Sequence, residues 1–184
     1  MEPKITTVSG EWFDFTNPLN SKINIYDIAH ALANTCRFSG HSSRFYSVAQ
    51  HSIWVSKIVP PEDALAGLMH DAAEAFIGDV TKPLKEILPD YQRVEGRIET
   101  AVRIKFRVPV NMPGSVKEAD LVMLATERRD LMPNNNSGWS ILRGVKPLKK
   151  KIRWCPIWLV RWRFLARFRK LQKIQREGAL RWRR

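Results

Sequence analysis

Apolar positions along the chain change period several times, and each change sets an element boundary. Residues 1–22 carry no helical pattern: Thr6 and Thr7 precede a Ser9-Gly10 turn signal, then Trp12, Phe13 and Asn17-Pro18, which reads as extended or looped chain. From Ile23 the spacing turns helical, with Ile25, Ile28, Ala29 and Leu32 on one stripe until Ser39-Gly40 breaks it. A second helix is predicted over Phe45–Ile58, with Val48, His51, Val55 and Ile58 on one face. Pro60-Pro61 ends it and suits the first turn of a third, over Glu62–Phe76, which stops near Gly78. Pro83 then belongs to a loop or short turn. Further helices are expected over 90–106, 115–131 and 157–175, separated by Pro109, Pro113-Gly114, Pro133 and the asparagine run 134–136. No repeat is visible, and no alternating strand pattern occurs beyond the amino-terminal segment. The expected class is all-α, a helical bundle with a short extended amino-terminal segment.

A chain of 184 residues with 44% apolar content suits one folded domain with a sizeable core. The opening residues lack a signal-peptide pattern, and no apolar run approaches the length of a membrane span. A soluble, cytoplasmic protein is the expectation (host cytoplasm, were it phage-encoded). Cys36 and Cys155 show neither CxxC nor zinc-type spacing and read as reduced thiols.

Charge is unevenly placed. Residues 141–184 hold 16 of the 31 lysines and arginines and one acid, Glu177, so this segment is +15 and residues 1–140 come to −2. A near-neutral body, residues 1–150, carries a basic, Trp/Arg-rich carboxy-terminal helix and tail, residues 151–184. Trp154, Trp158 and Trp162, four apart, would line one helical face, with Trp182 beyond. The ordinary reading packs those tryptophans on the body or on a neighbouring subunit. The rival reading is nucleic-acid binding, with arginines on phosphates and indoles on bases. An amphipathic membrane-surface helix ranks below both.

Candidate chemistry lies where polar residues interrupt apolar stripes. His51 sits among Val48, Val55 and Ile58; His70 and Asp71 are embedded among Leu65, Leu68, Met69, Ala72 and Ala75; Glu74 lies one turn beyond His70; Asp120 shares a stripe with Val116, Met123 and Leu124. An unpaired buried carboxylate costs several kcal/mol, so such a group shifts its pKa, pairs, or binds a metal. Two imidazoles and two carboxylates from three helices suit one divalent transition ion with positions left for water and a phosphate oxygen. Taken singly, each residue has an ordinary alternative: a hydrogen-bonded core histidine, or for Asp120 a solvated edge. The ordered set of His, His-Asp and Asp is what singles out a ligand constellation.

The stretches SVAQHS (47–52), LMHDAAEAFIGDVTKPLK (68–85) and VKEADLVMLATE (116–127) resemble the defining segments of the HD-domain phosphohydrolases. The likeness spans residues 23–132 and is greatest to the small YfbR-type 5′-deoxynucleotidases and the phage dATP triphosphohydrolases. That resemblance implies a metal held by His51, His70, Asp71 and Asp120, with Co²⁺, Mn²⁺ or Zn²⁺ as the ion and additional Mg²⁺ arriving with the phosphates. It also implies catalytic roles for Glu74, which would orient or deprotonate water, and for Asp79, which would protonate the leaving oxygen or help hold the second ion. Arg37-Phe38 matches the family's substrate-facing Arg-aromatic pair, with phenylalanine where the nucleotidases carry tryptophan. Thr81-Lys82-Pro83 departs from their proline-rich loop. His41, Arg44 and Lys82 or Lys85 are the candidate phosphate contacts, while His30 is assigned to packing. The implied activity is hydrolysis of a deoxynucleotide, either a dNTP, favoured as dATP, released as deoxynucleoside and triphosphate, or a dNMP. The implied assembly is a homo-oligomer, dimer or hexamer.

Overall fold

The computed structural model describes residues 2–134 and 138–181; Trp182 and part of the asparagine run lie outside the described residues. Two short strands, β1 (Lys4–Thr6) and β2 (Trp12–Asp14), pair antiparallel with Ile5 opposite Phe13. The rest of the regular structure is helical: α1 (Ile25–Asn34), α2 (Val48–Ile58), α3 (Ala64–Met69), α4 (Glu74–Ile77), α5 (Lys82–Glu86), α6 (Pro89–Phe106), α7 (Gly114–Leu131) and α8 (Ile157–Arg181). The all-α class expected from the pattern of apolar positions is therefore the one observed. No described helix is long and apolar enough to cross a membrane, and both cysteines are free thiols.

Local chemistry explains where the helices begin. Asn24 caps α1 by accepting the Asp27 amide at 2.9 Å, and Ser47 caps α2 by accepting the Gln50 amide at 3.2 Å. These caps start both helices two or three residues later than periodicity alone suggested. Asp27 is itself buried and accepts from the Ser9 amide and hydroxyl at 3.1 and 2.8 Å, which pins the turn after β1 to α1.

The single helix expected over 62–76 is instead two, α3 and α4, joined by a tight turn at residues 70–73. Backbone bonds there close three residues back: Ala72 to Met69 at 3.1 Å and Glu74 to Asp71 at 3.0 Å. His70 Nδ1 donates to the Gly67 carbonyl at 2.9 Å, taking an acceptor that a continued α-helix would use. Neither glycine nor proline marks this break, so it is invisible to pattern reading. Where Pro83 suggested a loop or short turn, it sits in the first turn of α5.

The core is shared by α1, α2, α3, α7 and α8. Ile28, Leu32, Val48, Val55, Leu68 and Met123 are fully buried. The α2–α3 contact is close because Gly67 has no side chain; a Cβ there would stand 3.1 Å from Val59 Cγ2 and 3.2 Å from Ser56 Cα. Phe13 stacks on Phe76 with ring centres 3.9 Å apart, which fastens β2 to α4.

Helix α8 docks on the body through Val160, Phe164, Phe168 and Leu171, all buried, and Arg167 bonds the Ser56 hydroxyl and carbonyl at 3.2 and 2.6 Å. Trp154, Trp158 and Trp162 do not take part. They are 62%, 66% and 61% exposed, which corrects the expectation that the indoles pack on the body. Two stripes with four-residue spacing compete on this segment, and the longer one, Val160–Leu171, wins the interior because it buries more apolar surface.

Candidate metal centre

Three helices and one tight turn bring the predicted ligands together. His51, on the inner face of α2, is fully buried; His70 and Asp71 occupy the turn after α3; Asp120 lies on α7. The two Nε2 atoms are 3.3 Å apart. Asp120 Oδ1 stands 3.1 Å from His51 Nε2, and the ligand atoms of His51, His70 and Asp120 all lie within 4.8 Å of one another. Asp71 Oδ2 adds a fourth oxygen, 3.1 Å from His70 Nε2 and 3.6 Å from His51 Nε2.

The outward nitrogens of both rings are already committed. His70 Nδ1 donates to Gly67, and His51 Nδ1 lies 2.6 Å from Glu127 Oε1. Fixing Nδ1 turns each Nε2 inwards, so both Nε2 atoms aim at one point, where an ion would take the place of an Nε2 proton. Mixed imidazole and carboxylate donors of this kind fit a divalent transition ion.

Glu127 is the residue that sequence reading passed over. It is fully buried and also accepts from Arg37 Nε at 3.2 Å, while Arg37 Nη1 reaches Asp71 Oδ2 at 3.5 Å. One carboxylate thus orients the first histidine and anchors the arginine beside the second acid. Its signal was present: it falls seven residues after Asp120, two turns along the same face.

The electrostatics follow from crowded carboxylates. Burial and the Arg37 cation oppose charge on His51, yet Glu127 and Asp120 outweigh them and hold its pKa up at about 10. Asp71 is half-buried, and His70, His51 and Arg37 outweigh its desolvation and keep its carboxyl well below the usual carboxylate range. Desolvation pushes Glu74 well above its ordinary value, helped by Asp71 and Asp79, and Asp79 is likewise raised by desolvation.

Glu74 is buried at the start of α4; its Oε1 is 3.5 Å from Lys85 Nζ, and its Oε2 is buried without a hydrogen-bond partner among the described residues. Lys85 is held in turn by Glu95 at 2.5 Å. Of the two candidate lysines, Lys85 therefore reaches the acid cluster, while Lys82 is exposed on α5 and does not. His41 is exposed, and Arg44 spends its guanidinium on the Ile152 carbonyl at 2.7 Å. His30 is half-buried and lies 3.3 Å from Arg161 of α8.

Arg37 and Phe38 are placed by an unusual backbone. Phe38 and Ser39 both take left-handed φ values, 57° and 50°, ahead of Gly40 at 83°. The turn leaves Phe38 half-buried with its ring 6.1 Å from that of Trp139, a second aromatic that sequence reading did not select.

The fold and site define a mostly helical protein with a buried His-His-Asp cluster able to hold a metal ion. Uncharacterized protein YfdR of Escherichia coli strain K12 is 50% identical to this chain over 141 residues, 77% of this chain and 79% of that one. The chain belongs to the YfdR family. An uncharacterized protein of Rhodobacter capsulatus is 34% identical over 122 residues, 61% of this chain and 62% of its own. No family model matches the chain.

Proposed function

We propose that this chain is a metal-dependent phosphohydrolase of the HD type that acts on deoxynucleotides, with cleavage of a dNTP to deoxynucleoside and triphosphate as the favoured reaction. The observation that carries the reading is the convergence of two imidazole Nε2 atoms, 3.3 Å apart, with the oxygens of Asp120 and Asp71. The ordered likeness of residues 47–52, 68–85 and 116–127 to that family supports it.

A divalent ion held by His51, His70, Asp71 and Asp120 would supply a Lewis acid for a phosphate oxygen and a more acidic water. The protein's own groups do the rest. Glu74, buried beside Asp71 and raised in pKa, takes the proton of the attacking water. Asp79, whose carboxyl desolvation raises, is the acid this reading assigns to the departing sugar oxygen. Arg37, buried and kept cationic by Glu127 and Asp71, offsets charge that grows on the phosphoryl oxygens, and Lys85 adds a second cation beside Glu74. The Phe38–Trp139 pair offers an aromatic wall for a base.

The deciding assay incubates pure protein with Co²⁺ or Mn²⁺ and a panel of dNTPs and dNMPs, resolving products by chromatography. Nucleoside with triphosphate supports the favoured reaction; nucleoside with orthophosphate from a dNMP assigns the nucleotidase reaction to the same site. No metal-dependent release from any member of the panel overturns the proposal.

A further inference from the structure

A second face of α2, turned away from the one that carries His51, builds another site. Gln50, Ile53, Trp54 and Lys57 recur at the spacing of one helical face, while His51 and Val55 turn into the core. That outer face walls a pocket of about 200 Å³, closed by Lys150, Lys151, residues 153–155 and by Val160 and Arg163 of α8. Five lining side chains are cations, Lys57, Lys150, Lys151, Arg153 and Arg163, and none is an acid.

The cations are organised around an indole. Lys57 Nζ lies 5.4 Å and Lys150 Nζ 5.2 Å from the ring centre of Trp54, so one aromatic holds two ammonium groups. Partial burial and the nearby Arg167, Arg163 and Lys150 lower the Lys57 pKa, as expected where like charges crowd. At the rim, Trp154 presents an open indole, and Gln50 Nε2 fixes the chain beside it by donating to the Arg153 carbonyl at 2.9 Å. A lining of five cations and no acid, next to an open aromatic, suits a ligand that brings both phosphate and a planar base.

We propose that this pocket anchors a single strand of nucleic acid, with backbone phosphates on Lys57, Lys150 and Arg163 and a base stacked on Trp154. A strand fits better than a free nucleotide because positive charge continues past the pocket. Residues 141–184 are +15 with Glu177 as their one acid, and Arg153, Arg161, Arg169 and Lys170 are exposed. A mononucleotide would leave most of that charge unmatched, whereas a strand presents one phosphate per residue. None of these residues is a candidate metal ligand, so the inference stands independently of the hydrolase reading.

The test is fluorescence anisotropy of a 5′-labelled oligothymidylate titrated with the full-length protein over a salt series, in the presence of chelator. Lys57→Ala with Lys150→Ala is expected to weaken binding about ten-fold and to flatten the salt slope by about 1.4, at ~0.7 for each lost phosphate contact. Trp154→Ala is expected to weaken it about ten-fold through lost stacking. Lys105→Ala with Lys117→Ala removes equal charge from exposed positions outside both the pocket and residues 141–184 and should change affinity less than about two-fold. Asp120→Asn should bind as the parent does, which separates this result from any failure of metal or turnover at the other site. Equal loss from both lysine pairs would mean diffuse attraction and overturn the proposal. So would duplex DNA bound as tightly as the single strand with Trp154→Ala silent, tripolyphosphate bound as tightly as the strand, or phosphatidylserine vesicles that displace the strand. Matching thermal melts for each variant exclude unfolding as the cause of a loss.

Discussion

His51 Nδ1 and Glu127 Oε1 lie 2.6 Å apart, each on a side chain with no exposed surface. The pair joins α2 to α7 and sets the direction of the ring, because a proton held on Nδ1 turns Nε2 towards His70 and Asp120. Replacing Glu127 with glutamine removes the charge while keeping the volume. Metal affinity is expected to fall about 10- to 100-fold, read by equilibrium titration with Mn²⁺ beside an unchanged helical circular dichroism spectrum. Parental affinity in that variant would rule out the orienting role.

An ion held by the cluster should stabilise the fold. Mn²⁺ at a hundred-fold excess over its dissociation constant should contribute about 2.7 kcal/mol to the folded state and raise the melting temperature. In Asp120→Asn, which loses one of the three converging groups, the rise should shrink or vanish. An undiminished shift would show that the ion binds elsewhere.

Alanine at His70 should abolish metal-dependent hydrolysis; because the side chain is only 10% exposed and its bond to Gly67 holds the turn, a lowered melting temperature with a retained cooperative transition should accompany the loss. Single-turnover assays beside a thermal melt check both halves. Full activity in the variant would exclude His70 from the reacting site.

Gly67 is a packing constraint on that same histidine. An alanine Cβ would press on Val59 and the Ser56 backbone at 3.1 and 3.2 Å, and the Gly67 carbonyl is the acceptor that fixes His70. Overpacking of this kind costs about 1–3 kcal/mol, and a domain of this size loses about 2–4 °C of melting temperature per kcal/mol. Differential scanning calorimetry measures the loss, and weaker Mn²⁺ binding should accompany it.

Trp139 meets Phe38 at 6.1 Å with its plane tilted by 53°. If this pair forms the base wall, Trp139→Ala should raise KM by about 3- to 10-fold, equivalent to 0.5–1.5 kcal/mol, with kcat little changed. A drop in kcat at constant KM would place the ring elsewhere in the reaction.

Several features were legible because burial leaves a mark on sequence. His51, His70 and Asp120 interrupt apolar stripes, and the structure brings those three together. Glu127 left a fainter mark: it shares its face with Asp120, but the following Arg128, Arg129 and Asp130 make that stretch look like a solvated helix end. The turn at 70–73 could not be read, since a side-chain bond from His70 to Gly67 makes it rather than a helix-breaking residue. Lys85 and Lys82 differ only in position within α5, and which of them meets Glu74 depends on how that short helix leans on α6.

On the proposed reading, the amino-terminal hairpin has a part in the chemistry that its distance in sequence conceals. Phe13 stacks on Phe76, two residues after Glu74, and Ser9 grips Asp27 at the foot of α1. Cutting away the first fifteen residues would therefore do more than shorten an end. It would remove the backing plate behind the short helix that aims the acid, so turnover should suffer before global unfolding becomes measurable.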